Sequence, residues 1–122
     1  MAKILIADDE TYSLRLLQMT LKKTGCELIA CKNGQEALDK AQSEVPNLIV
    51  MDVMMPIMDG LTALAELKKN EITKGIPVIM LTAKGQSLTR TEAEESGAEH
   101  FVTKPFSPTE LLAEVKKLLP AS

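Results

Sequence analysis

Leu48-Ile49-Val50-Met51-Asp52, followed by Val53-Met54-Met55-Pro56-Ile57-Met58-Asp59-Gly60, is the stretch on which the fold turns. Its first four residues form an unbroken apolar run, which suits a strand covered on both faces, and the run stops at a carboxylate. The same design recurs on either side of it: Ile4-Leu5-Ile6-Ala7, Leu28-Ile29-Ala30-Cys31, Val78-Ile79-Met80-Leu81 and Phe101-Val102 read as further buried strands. None of these runs approaches the ~20 apolar residues that cross a bilayer.

Between the strands lie segments with helical spacing: Leu14, Leu17 and Leu21; Ala37, Leu38 and Ala41; Leu61, Leu64 and Leu67; a weaker one around Leu88 to Ser96; and Leu111, Leu112, Val115, Leu118 and Leu119. Gly25 and Gly97 stand where helix C-caps are wanted, and Pro46 and Pro77 precede strands. Ser107-Pro108-Thr109-Glu110 has the order of a capping box, with a serine N-cap, proline at the first helical position and glutamate at the third. Strict alternation of five strands with five helices predicts a doubly wound α/β fold, a parallel sheet covered on both faces by right-handed crossovers. At 122 residues and 45% hydrophobic content the chain predicts one domain, residues 1–122, with a real core and no room for a second.

A net charge of −3 offers no basic excess for a nucleic-acid backbone, so direct DNA or RNA binding is not expected. The amino terminus runs from Met1-Ala2-Lys3 straight into the first strand without the apolar segment of a secretory signal, which predicts a cytoplasmic protein. Cys26 and Cys31 are separated by an odd number of strand positions, so their side chains should face opposite ways and stay unpaired. With His100 as the single histidine, there is no spacing for a zinc site.

In open α/β sheets ligands bind beyond the carboxyl ends of the strands. Read strand by strand, those ends carry Asp8-Asp9, Asp52, Thr82 and Thr103-Lys104. Each has a plain reading by itself. Asp8 or Asp9 would cap a helix, Asp52 would open a turn, and Lys104 would be a solvated surface residue. Independent caps, however, have no reason to fall after the first, third, fourth and fifth strands with complementary chemistry at each. Three carboxylates converging on one crevice repel unless a cation offsets them, and an oxygen-only set with few protein ligands suits Mg²⁺ better than Ca²⁺. Lys104 adds a compact positive charge and Thr82 a hydroxyl. Together these are the parts of phosphoryl transfer to a carboxylate.

Asp8-Asp9-Glu10, Met51-Asp52-Val53-Met54-Met55-Pro56-Ile57-Met58-Asp59-Gly60, Leu81-Thr82-Ala83 and Thr103-Lys104-Pro105-Phe106 resemble the motifs of response-regulator receiver domains, over the whole chain. The resemblance implies a flavodoxin-like sheet of order 2-1-3-4-5. It implies Asp52 as phosphoacceptor; Asp8, Asp9, Asp52 and the Met54 carbonyl as metal ligands; Thr82 and Lys104 as phosphoryl-binding groups; and Phe101 as the aromatic that changes rotamer with Thr82. It further implies a cis bond before Pro105 and a phosphoryl lifetime tuned from Met54 and Lys84. Mg²⁺ is the implied cofactor, with Mn²⁺ as the alternative. The implied partners are a sensor histidine kinase or phosphotransfer protein upstream and a target protein engaged through the last helices and strands. Such a domain is a switch that catalyses its own phosphorylation and dephosphorylation rather than an enzyme acting on other substrates. The chain stops at Leu119-Pro120-Ala121-Ser122, which suits either a receiver acting alone or a piece of a longer regulator.

Two rivals share some of these parts. A haloacid-dehalogenase-type phosphatase also combines an aspartate nucleophile, Mg²⁺, threonine and lysine, but it resembles Asp-x-Asp after the first strand and carries a substrate-covering cap. Asp8-Asp9-Glu10 and the chain length oppose it. A degenerate receiver acting only as an adaptor would have lost members of the Asp, Thr and Lys set, which is complete here. Met51 reads as core filler and His100 as structural. Glu92, Glu94 and Glu95 read as a solvated helix face.

Overall fold

The computed structural model describes residues 2–83, 92 and 95–120. Five parallel strands, β1 (Lys3–Ala7), β2 (Glu27–Cys31), β3 (Leu48–Asp52), β4 (Val78–Ala83) and β5 (His100–Lys104), form one sheet in the order β2-β1-β3-β4-β5. Four α-helices lie among the described residues: α1 (Thr11–Leu21), α2 (Gly34–Glu44), α3 (Gly60–Lys69) and α4 (Pro108–Leu118). The expected helix around Leu88 to Ser96 falls mostly outside the described residues, as does Lys84, so the count of five becomes four among those described.

Strand alternation sorts the apolar side chains into two cores. Leu5, Ala7, Ile49, Met51, Val78 and Met80 project into one, beneath Ala37 and Ala41 of α2 and Ala63, Leu64 and Leu67 of α3. Ile4, Ile6, Leu48, Val50, Ile79 and Leu81 project into the other, beneath Leu14, Leu17 and Leu21 of α1 and Leu111 and Val115 of α4. The sheet is therefore covered on both faces. The cysteines divide the same way: Cys31 belongs to the first core, Cys26 packs against the second, and neither forms a disulfide. Burial pushes the Cys31 thiol up to about 11, so it stays protonated and inert at neutral pH.

The order is the one the resemblance implied, and burial differs along it. All of β3 is buried, whereas the edge strands β2 and β5 are only partly so, with Ala30 exposed and Phe101 and Val102 half-buried. An edge strand has a neighbour on one side only, and strand order is not encoded in any one strand's composition.

Helix boundaries follow the caps. The Ser107 hydroxyl accepts the Glu110 N–H at 3.3 Å with Pro108 in the first turn, and Asn33 and Asp59 accept from Glu36 and Thr62 at the starts of α2 and α3. Gly25 and Gly97 take positive φ, 77° and 87°. Val45 closes α2 at φ 44°, a conformation that costs a β-branched residue and that nothing in the sequence signals.

Candidate functional site at the carboxyl edge of the sheet

The second core also decides where the polar groups point. Lys104 lies two residues beyond Val102, Asp52 two beyond Val50 and Asp8 two beyond Ile6, so all three continue rows that face α1 and α4. Parallel register then brings the row ends together. The Lys104 ammonium donates to Asp8 Oδ2 at 2.9 Å, Asp52 Oδ2 at 2.9 Å and Glu10 Oε1 at 3.2 Å. Asp8 and Asp52 are buried, Lys104 is nearly so, and Glu10 reaches in from solvent.

Further bonds hold the carboxylates in place. Asp8 Oδ1 accepts the Glu10 N–H at 3.0 Å, and Asp52 Oδ1 accepts the Met54 N–H at 3.3 Å. After Asp52 the chain doubles back: Gly60 donates to the Val53 carbonyl, and Met58 to Pro56 across Ile57, which sits at φ 70°. This return needs bare backbone at two places, since a Cβ at Gly60 would collide with the Asp52 carbonyl and one at Gly34 with the Met58 carbonyl. The Lys104–Pro105 peptide is cis.

Burial raises the Asp8 pKa above its ordinary value; hydrogen bonds from Glu10 N–H and Lys104 oppose this, and the Asp52 charge adds to it. For Lys104 burial alone would lower the ammonium, but hydrogen bonds to Asp52 and Asp8 and their charges outweigh it, and the pKa rises. One lysine thus faces three carboxylates, an excess of negative charge.

A cleft of about 430 Å³ opens over this cluster, lined among others by Asp9, Tyr12, Met54, Ala83 and Phe106. The residues singled out in the sequence do not all meet there. Asp9 lines the cleft but is exposed, and among the described residues it is Glu10 whose carboxylate joins those of Asp8 and Asp52, with ligand atoms within 4.8 Å of one another. Thr82 pairs in register with Thr103, and Phe101 pairs with Met80, which places Thr82 and Phe101 on the face of the first core, diagonal to one another. The hydroxyl and the lysine therefore approach the edge from opposite faces. Met54 is exposed at the mouth. Glu10 went unnoticed in the sequence as a partner of Lys104; its one signal is a residue at an N-cap position, directly after two acids, whose side chain is a poor cap.

A doubly wound sheet with an acid–lysine cluster at its carboxyl edge defines a class of phosphoryl-handling α/β proteins rather than one family. Comparison with known proteins narrows it. Residues 4–116 match the response regulator receiver domain, and the chain belongs to that family. It is 43% identical over 117 residues to the alkaline phosphatase synthesis transcriptional regulatory protein PhoP of Bacillus subtilis, covering 96% of this chain and 48% of the relative. The chain thus spans about half the length of the curated relatives it matches. Among solved structures, a putative response regulator from Chloroflexus aurantiacus superposes with a TM-score of 0.89 at 32% identity, covering 96% of both chains. The receiver domain of a sensor histidine kinase from Pseudomonas aeruginosa, solved with a magnesium ion coordinated in its active site cleft, gives 0.87 at 25% identity and again 96% of both chains. No helix among the described residues is long and apolar enough to cross a membrane.

Proposed function

We propose that Asp52 takes a phosphoryl group from a phosphohistidine on a sensor kinase or phosphotransfer protein. A carboxylate oxygen attacks phosphorus, the P–N bond breaks, and the electron pair leaves with the imidazole, which takes a proton; the product is an acyl phosphate on Asp52. One observation carries the reading. The buried Asp52 carboxylate is held 2.9 Å from the Lys104 ammonium and faces a cleft large enough for a phosphoryl group.

The donor set, carboxylates with an excess of negative charge and no sulfur or nitrogen ligand, fits a hard divalent cation. Asp8, Asp9, Asp52 and the Met54 carbonyl would hold Mg²⁺, which when bound supplies positive charge against the anionic donor. Lys104 does the same from its place beside Asp52, and the Thr82 hydroxyl donates to a phosphoryl oxygen. Loss of Thr82 from its resting place frees space beside Phe101 on the same face, which relays the change toward β5 and α4 and so to a target protein. Met54, exposed beside the cleft, shields the phosphoryl group from water, so Met54→Asn accelerates its decay after donor removal.

Radiolabelled acetyl phosphate tests the assignment. Label enters the wild-type chain with Mg²⁺ and is absent in Asp52→Asn; undiminished labelling in that variant, or in excess chelator, overturns it. Multiple turnover of varied phosphomonoesters would instead favour a phosphatase.

A further inference from the structure

An ammonium has three protons, and Lys104 directs them at three carboxylates of very different burial. The Asp8 and Asp52 side chains are 0% and 6% exposed, while that of Glu10 is 66% exposed. Glu10 also occupies the N-cap of α1, yet its side chain makes no capping bond; it turns back to Lys104 and leaves the helix start without a side-chain acceptor. Aspartate, asparagine, serine or threonine there would supply that acceptor, so the helix forgoes a cap while Glu10 meets Lys104.

Phosphorylation moves the charge of Asp52 onto phosphoryl oxygens, so the proton that Lys104 gives Asp52 passes to one of them, and a second lysine–phosphoryl contact requires the release of Asp8 or Glu10. Freeing Asp8 would strand a buried charge. Freeing Glu10 returns an exposed carboxylate to water at little cost. We propose that Glu10 is a positioning residue that holds Lys104 in the unphosphorylated domain and is the partner displaced when Asp52 is phosphorylated. This rests on Asp52 being the phosphoacceptor. On it, the Glu10 contact is a resting-state restraint that every phosphorylation event must break, and its strength sets how readily the domain accepts a phosphoryl group.

The test compares Glu10→Gln, which keeps length and loses charge, with Glu10→Asp, which keeps charge but is one methylene too short to reach Lys104 from the same backbone. At saturating Mg²⁺ both variants should take label from acetyl phosphate faster than wild type, by about two- to fivefold, the scale of one partly exposed ion pair. In the metal-free protein the Lys104 ammonium ¹⁵N resonance should exchange its protons with water faster in both variants. Equal labelling rates and equal ammonium exchange in wild type and both variants would overturn the proposal. So would Glu10→Asp behaving as wild type while Glu10→Gln is faster, since that outcome assigns the effect to net charge and not to the contact. A wild-type chain that takes no label at Asp52 would instead sink the phosphoacceptor reading, leaving the exchange measurement to judge whether Glu10 restrains Lys104 at all.

Discussion

Two lysines at opposite ends of the sheet make carboxylate contacts of the same length and of very different consequence. At the amino edge Lys3 meets Glu44 at 2.9 Å, both about one-third exposed. At the carboxyl edge Lys104 meets Asp8 and Asp52 at the same 2.9 Å with both acids buried. The hydrogen bond with Glu44 raises the Lys3 pKa and lowers that of Glu44, one charge against one, in water that screens both. Around Lys104 the described acids outnumber the base and Asp8 and Asp52 are buried, so removing that ammonium leaves two buried charges without the partner they share. Distance alone does not separate a surface pair from a site; burial and charge balance do.

The largest effect expected is on Lys104→Met. It leaves Asp8 and Asp52 buried beside one another without a counter-charge, and should cost roughly 3–5 kcal/mol in urea unfolding without metal. Millimolar Mg²⁺ should restore part of that loss. A variant as stable as wild type in chelator would break the contrast between the two edges.

Asp8→Asn should act in the opposite direction. Because the folded state raises the Asp8 pKa, it binds that proton more tightly than the unfolded chain does. The Asp8 contribution to stability is then greatest below the ordinary value of 3.8 and falls as pH rises through the raised one. At neutral pH the charged form opposes folding, so Asp8→Asn should raise the melting temperature of the metal-free domain and flatten the slope of stability against pH just above that value. The same variant should lose Mg²⁺-dependent stabilisation, since it surrenders a proposed ligand. Thermal melts across pH, with and without metal, measure both effects, and a destabilised Asp8→Asn would show that its hydrogen bond to Lys104 outweighs the repulsion.

Smallest of all should be Lys3→Met. Its urea midpoint should be indistinguishable from wild type, with labelling by acetyl phosphate unchanged. A loss comparable to that of Lys104→Met would mean that the exposed pair is worth as much as the buried cluster.

Much of this arrangement is legible in order. The ends of β1 and β3 could be read from where the apolar run met Asp8 or Asp52, because burial on both faces demands an unbroken run and the polar crevice ends it, whereas β4 runs on through Thr82 to Ala83. Caps were equally local: Ser107 and Glu110 meet as their spacing requires. Val45 shows the limit, since α2 ends there without glycine, on an exposed residue in a left-handed conformation that no local pattern signals. Glu10 shows another, for a flexible exposed side chain finds Lys104 only once a partner 94 residues away is in place.

By itself, then, the sequence determined a doubly wound alternation, the residue types at each strand end and the family, because hydrophobic period and short motifs are properties of neighbours along the chain. The order 2-1-3-4-5, and with it the two edge strands, came with the family resemblance and is the order observed; only the tertiary structure decided that Asp9 stands exposed while Glu10 closes on Lys104, and that Thr82 and Lys104 approach the site from opposite faces. Those outcomes depend on strand order, parallel register and the parity of each side chain, which join Asp8 to Lys104 across 96 residues and exist only when the whole sheet is assembled.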